Sequence, residues 1–393
     1  MPAVRERGGV AILFAAVFAL MALLAYLSPL GLAPLVGLAG LAGLATPRLA
    51  LSRSGLFGFG ALFVWAAVSM VWSPARPWLN ARSLVSAIEH LSLLELGLLV
   101  VVAALAVGAA LGLTSPEARL PAALLRWSVL ALALVLAIDS ADHGAIYGAL
   151  ARMLQPGEDA DLVRIYTARG GYTLAVLMWP WLATLSGRAR WLAPAPFVAV
   201  AAVSFLLREA APLTAVLAGS AAFVLVLVAG ARGSAILAGL QAAYWLGAPW
   251  LVRLAERVTD FDRLGHAIRP SWAVRLGIWR FAVDRVVEHP LRGWGFDSAR
   301  AFEPAIPLHP HDAALQVWLE LGLPGALLVT ALWLGLLRRA ASTPDRLQRA
   351  TAAAGATAYL TIGAVSFGVW QPWWLAVGAL AVLATVLVAR SKD

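Results

Sequence analysis

The chain has 393 residues, of which 61% are hydrophobic and only 13% charged. A soluble domain carries about 25% charged residues, so the deficit excludes that class and points to an all-α polytopic membrane protein. No cysteine is present, which excludes disulfides, thiolate metal sites and cysteine nucleophiles, and the net charge of +9 comes from basic residues that are all arginine except Lys392.

Apolar runs taken in chain order predict twelve spans, at about 10–28, 30–46, 55–73, 84–113, 121–140, 171–187, 191–207, 210–230, 233–252, 313–337, 350–368 and 372–389. The first follows Arg5 and Arg7, is long, and leads at once into another span. It reads as a retained anchor, not a cleaved signal. Arg48, Arg53, Arg119, Arg126, Arg188, Arg190, Arg232, Arg338, Arg339, Arg346, Arg349, Arg390 and Lys392 fall on one side, together with the N-terminus. The bias of short loops toward arginine makes that side cytoplasmic and places both termini there. With no repeat or low-complexity tract, residues 1–393 read as a single integral membrane domain.

Two outer loops are long. One covers about 141–170 and carries Glu158, Asp159, Asp161, Arg164 and Arg169. The other, 253–312, is the principal outer segment. Within it residues 274–289 put Leu276, Trp279, Val283, Val286 and Val287 on one face of a helix lying on the membrane or on the bundle. Arg280 and Asp284 are four residues apart there, a spacing that allows an ion pair. A turn rich in proline and glycine follows (His289, Pro290, Gly293, Gly295). Then His309, His311 and Asp312 are set against the first turn of an apolar helix that closes on Gly322-Leu323-Pro324-Gly325.

Arginines on the outer side run against the charge bias, so each needs a reason. Arg208 sits in a very short connection between two apolar spans, where a cation is costly unless it is paired or bound. It either serves a function, pairs locally with Glu209, or snorkels to the interface. Arg169 opens a span, and Arg275 begins the amphipathic helix. Arg76, Arg82, Arg164, Arg253, Arg257, Arg263, Arg269, Arg280, Arg285, Arg292 and Arg300 read as solvated charge. Asp312 is a good N-cap for the helix after it. His311 has three readings: a base at the lipid–water boundary, an interfacial histidine closing the loop, or a metal ligand with His309 and Asp312. No Glu-x-x-His or second cluster supports the metal.

At these residues the chain resembles the O-antigen ligase and Wzy-type polymerase superfamily of bacterial inner membranes. The ligase pattern is a histidine, then Asn, Ser or Gln, nine residues, and Gly-x-x-Gly. Here His311-Asp312 is followed by nine residues and then by Gly322 and Gly325, with Asp312 departing from the usual amide or hydroxyl. Arg275, Trp279 and the run His289-Pro290-Leu291 to Gly293-Trp294-Gly295 look like the family's arginine–tryptophan–Pro-x-x-Gly-x-Gly segment. Arg208 before Ala-Ala-Pro-Leu and, more weakly, Arg169-Gly170-Gly171 are similar to two further family arginines.

The resemblance implies a GT-C-like glycosyltransferase with its large loop between helices 9 and 10 and its active site facing the periplasm. It implies an undecaprenyl-diphosphate-linked glycan as donor and a lipid A core or growing glycan as acceptor. Neither metal nor cofactor is implied, the surroundings are membrane lipid, and nothing points to nucleic acid. His311 would activate the acceptor hydroxyl. Arg208, Arg275 and Arg169 would hold the diphosphate, with Asp312, His309, Gly322 and Gly325 in support. The alternatives are a Wzy-type polymerase and, more remotely, a transporter of an anionic lipid or solute. A transporter would carry recurrent acids in mid-span, where only Glu89, Glu95 and Glu320 come near.

Overall fold

The computed structural model describes residues 2–45, 49–75, 92–154 and 160–392, and among them every long element is a helix. The predicted features at Arg48, Arg76, Arg82, Glu89, Glu158 and Asp159 lie outside the described residues. Among the described residues, eight helices are long and apolar enough to cross a membrane. In chain order the α-helices are α1 (Pro2–Leu27), α2 (Leu32–Ala45), α3 (Arg53–Ser69), α4 (Ser92–Leu111), α5 (Ser115–Ala141), α6 (Ala145–Leu154) and α7 (Ala160–Leu182). Then come α8 (Pro194–Leu206), α9 (Ala210–Thr259), α10 (Phe261–Ala267), α11 (Pro270–Glu288), α12 (Ala313–Ala341), α13 (Arg346–Val365) and α14 (Pro372–Arg390).

Local chemistry sets several of these boundaries. Asp345 caps α13 by accepting from Gln348 N at 2.8 Å, and Glu117 accepts from Thr114 N, also at 2.8 Å, at the start of α5. α9 covers two of the predicted spans. At Gly230 the backbone takes φ 57°, ψ −125°, and the chain folds back so tightly that a Cβ on Gly233 would lie 2.4 Å from the Leu225 carbonyl oxygen. Both arms of α9 pack on α13, through Ala222, Val226 and Leu237 against Ala350 and Ala353.

Arginines tie several turns to backbone carbonyls at or just past helix ends. Arg390 donates to Leu113 O, Arg126 to Thr184 O and Arg346 to Leu227 O. These are among the loops that the sequence groups on one side.

The buried apolar residues form two large clusters. One joins α1, α2, α5, α7, α8, α13 and α14, with Trp179, Trp181 and Phe18 at its centre. The other joins α3, the start of α4, the second arm of α9, and α10 to α12. α11 lies on this second cluster: Leu276, Val283 and Val286 are buried as predicted, while Val287 is exposed. Arg280 and Asp284 do not pair with each other. Arg280 binds Glu256 and Asp262, and Asp284 binds Arg253, so both fasten α11 to its neighbours and leave no pair along its own surface.

The helix after His311 does not close at Gly322. It breaks there (φ 62°, ψ −159°) and continues to Ala341. Pro324 has no N–H to continue the ladder, so carbonyls just before it lose their intrahelical donors. Those carbonyls are met from outside. Trp294 N donates to Leu319 O at 2.7 Å, Gly295 N to Glu320 O at 2.8 Å, and Trp65 Nε1 to Leu321 O at 2.8 Å. The turn 289–295 thus lies directly on the break. A Cβ on Gly322 would sit 2.4 Å from Leu291 O, and one on Gly293 would sit 2.5 Å from Glu320 O. Only glycine permits that approach, so Gly293 and Gly322 serve a single backbone contact.

Candidate active site

The site begins at the turn His309-Pro310-His311, just ahead of α12. His311 adopts φ 57°, which is unusual for a residue with a Cβ and needs support from its surroundings. The support is visible. Trp279 Nε1 donates to Pro310 O at 3.0 Å, and the His311 N–H donates to Nδ1 of the buried His309 at 3.2 Å. Asp312 caps α12 as predicted, accepting from Leu315 N at 2.9 Å, and it also accepts the Tyr244 hydroxyl at 2.8 Å. Burial pushes its carboxyl up to about 6, against the opposing pull of these hydrogen bonds.

Among the described residues the His311 ring has one hydrogen-bond partner. Its Nδ1 lies 2.7 Å from the Ser366 carbonyl oxygen at the end of α13. A carbonyl only accepts, so Nδ1 carries the proton and Nε2 keeps its lone pair. Burial, then the nearby charge of Arg275, lowers the His311 pKa below the ordinary imidazole value, the Ser366 hydrogen bond opposing. His309 is lowered further, to about 3, by burial first and then by His311, Arg275 and Arg300. Both rings are therefore neutral at physiological pH. His309 is spent as a brace, and among the described residues no three His, Asp or Glu side chains gather as a metal cluster would.

The arginines fall into groups that their sequence positions do not reveal. Among the described half-buried arginines, Arg253, Arg280 and Arg285 are ion-paired with carboxylates. Arg126, Arg349 and Arg390 donate to backbone carbonyls. Arg169 and Arg275 have no such partner among the described residues. Each lies over aromatic rings instead, Arg169 at 4.5 Å from the Tyr166 centroid and 6.0 Å from Trp373, Arg275 at 5.0 Å from Trp272. The Nε of Arg275 is buried without an acceptor. A desolvated guanidinium with no counter-charge is costly, and a bound anion removes the cost.

Arg208 lies in the three-residue connection between α8 and α9, with φ 59° and an exposed side chain. It does not pair with Glu209, whose carboxylate accepts the Tyr172 hydroxyl at 3.0 Å. Tyr172 packs edge-on against Phe367 at 4.7 Å, the residue after the carbonyl that holds His311. Phe367 in turn meets Trp373 at 4.6 Å, the ring beneath Arg169. Arg275 lies within electrostatic reach of His311 and Tyr172, so Arg169, Arg275, His311 and the backbone of Arg208 fall in one region of the fold, though they are far apart in sequence. Arg169 does not open its helix as expected: α7 starts at Ala160, and Arg169 and Tyr172 lie one turn apart on the same side of it.

Sequence reasoning missed Tyr172, Ser366 and Trp373, gave Glu209 only as a local partner of Arg208, and set Arg269 aside as solvated charge. Tyr172 had a signal, its place three residues after Arg169. The Ser366 carbonyl had none, because any residue supplies one.

The fold and this region define a polytopic helical membrane protein in which a half-buried histidine lies near half-buried arginines that have no carboxylate partner among the described residues. No family model matches the chain. It is 32% identical over 133 residues to a Rickettsia conorii protein that carries the provisional name polysaccharide ligase, covering 30% of this chain and 32% of that protein. Similarly named proteins match from Rickettsia prowazekii (32% identity, 28% and 31% covered) and Rickettsia bellii (36% identity, 27% and 30% covered). The matched stretch spans about a third of each relative's length. The resemblance to the ligase and polymerase superfamily thus has a second, separate support.

Proposed function

We propose that the chain is an inner-membrane glycosyltransferase of the O-antigen ligase type, with a GT-C-like bundle of twelve spans and both termini in the cytoplasm. It moves a glycan from undecaprenyl diphosphate to a sugar hydroxyl of the lipid A core at the periplasmic face. The observation that carries this reading is the pairing of two uncompensated, half-buried guanidinium groups with a neutral imidazole whose Nε2 is free.

In the proposed reaction Nε2 of His311 takes the proton of the acceptor hydroxyl. The hydroxyl oxygen bonds to the anomeric carbon as the bond from that carbon to the phosphate oxygen breaks. The diphosphate leaves with the electron pair, and Arg169, Arg208 and Arg275 stabilise the charge that accumulates there. A single in-line displacement inverts the anomeric centre.

The motifs shared with the Wzy-type polymerases support that second reading, so the acceptor decides between them. Purified protein given lipid-linked glycan and lipid A core is expected to yield one transfer product per acceptor. Ladders that lengthen on the carrier lipid replace ligase by polymerase. No consumption of either substrate overturns both and favours transport.

A further inference from the structure

Arg208 is held by two contacts from residues outside its own turn. The Arg269 guanidinium donates to the Arg208 carbonyl at 2.7 Å, and Arg269 immediately precedes α11, the helix of Arg275. On the other flank Glu209 accepts from Tyr172, which lies on α7, the helix of Arg169. Leu207, just before, is buried and gives the turn a fixed root. A non-glycine residue at φ 59° does not hold that conformation without external support.

We infer that Glu209, Tyr172 and Arg269 are positioning residues that set Arg208 in register with Arg169 and Arg275, so that three guanidinium groups on three separate elements address one diphosphate. The inference rests on the proposed glycosyl transfer. It assigns the registration to two hydrogen bonds that tie the Arg208 turn to the two arginine-bearing helices. Neither bond is part of the proposed chemistry: Glu209 is turned to Tyr172, and Arg269 to a backbone oxygen.

The test is a double-mutant series in the purified full chain, with donor KM, acceptor KM and kcat measured separately. Glu209→Leu and Tyr172→Phe are each expected to raise donor KM about tenfold, the equivalent of one charge-assisted hydrogen bond, and to leave acceptor KM unmoved. Combined, they do no more than either alone, because each acts through the other. Glu209→Gln, which still offers Tyr172 an acceptor oxygen but no charge, recovers part of the loss in donor KM. Arg269→Ala raises it by a similar factor in the parent and by nothing in an Arg208→Ala background.

Tyr172→Phe keeps the ring and its packing on Phe367, so a result is available even if Glu209→Leu does not accumulate. Unchanged donor KM in Tyr172→Phe overturns the inference, as does a loss that adds in full to that of Arg208→Ala. Failure of the underlying reading is separate: the parent protein then transfers nothing, or Arg208→Ala itself leaves donor KM as it was.

Discussion

α12 carries polar groups into the buried interior at two points, and they are built on opposite plans. Two turns beyond its start, the fully buried Glu320 receives three donors. Gln316 Nε2 lies at 3.0 Å, the Asp297 N–H at 3.1 Å and Trp370 Nε1 at 2.6 Å. At the start of the helix, the Asp312 cap is equally satisfied, but the groups around it are not. His311 presents a free nitrogen, and Arg275 has a buried Nε with no acceptor. A satisfied buried network rigidifies a fold, whereas a buried polar group without a partner costs free energy and calls for an explanation. The first is where the chain locks the turn 289–297 onto the helix break, and the second is where chemistry is proposed.

The comparison breaks most directly at His311. His311→Ala is expected to lower kcat/KM for glycan transfer by about 100-fold or more, the range set by loss of a general base. The melting temperature should stay near that of the parent, because the ring has one protein hydrogen bond to lose. An activity loss matched by an equal loss of folded protein would return His311 to the merely structural group. The base is active as neutral imidazole, and its pKa lies below the ordinary 6.5. Activity therefore persists as pH falls past 6.5 and drops only further into acid. A midpoint at or above 6.5 contradicts the burial that the site imposes.

Arg275 and Arg280 sharpen the contrast on one helix, five residues apart. Arg275→Met removes an uncompensated, half-buried cation, so transfer should fall about 10- to 100-fold while thermal stability holds or rises. Arg280→Met removes a pair of partly exposed ion pairs. It should cost about 0.5–1 kcal/mol and leave transfer within about twofold. Melting curves and initial rates on the two variants check this, and parallel behaviour would erase the distinction between them.

Glu320→Leu tests the other plan. It strands Trp370 Nε1, the Asp297 N–H and Gln316 without their acceptor, which is expected to cost about 3 kcal/mol. Specific activity of the surviving folded fraction should change by less than about threefold, because the group does not touch the proposed site.

Apolar periodicity located most of the helices, because a span must be about twenty residues long whatever surrounds it. The α9 fold-back was legible as two runs meeting at Gly230 and Gly233. The glycines at 293 and 322 stood out in sequence, but their purpose did not, since it lies in the contact between two segments about thirty residues apart. The site itself was half legible. His311, Arg208, Arg275 and Arg169 stood out as charges in an apolar chain. Their separation from Arg253, Arg280 and Arg285 depended on which acids fold beside them, as the unformed Arg280–Asp284 pair illustrates. The Ser366 carbonyl that fixes the His311 tautomer is backbone, and no residue type marks it.

The smallest expected effect concerns Asp312, and its sign follows from the folded pKa of about 6. The folded state holds this proton more tightly than the unfolded chain, whose carboxyl titrates near 3.9. The group thus contributes most stability below about 4 and loses that contribution as pH rises toward 6. His309 acts the other way. Its pKa of about 3 means that the unfolded chain takes up the proton first, so its contribution is whole above 6.5 and is lost as pH falls. The two opposed slopes overlap between about 4 and 6. Asp312→Asn keeps an N-cap and an acceptor for Tyr244 while removing one slope, so stability at pH 7 should shift by less than about 1 kcal/mol. The fall on acidification should become steeper than in the parent. Melting temperatures of both proteins between pH 4 and 7 check this: unchanged steepness would mean that the Asp312 carboxyl is not displaced by its burial, and that the first turn of α12 is as fully compensated as the Glu320 network.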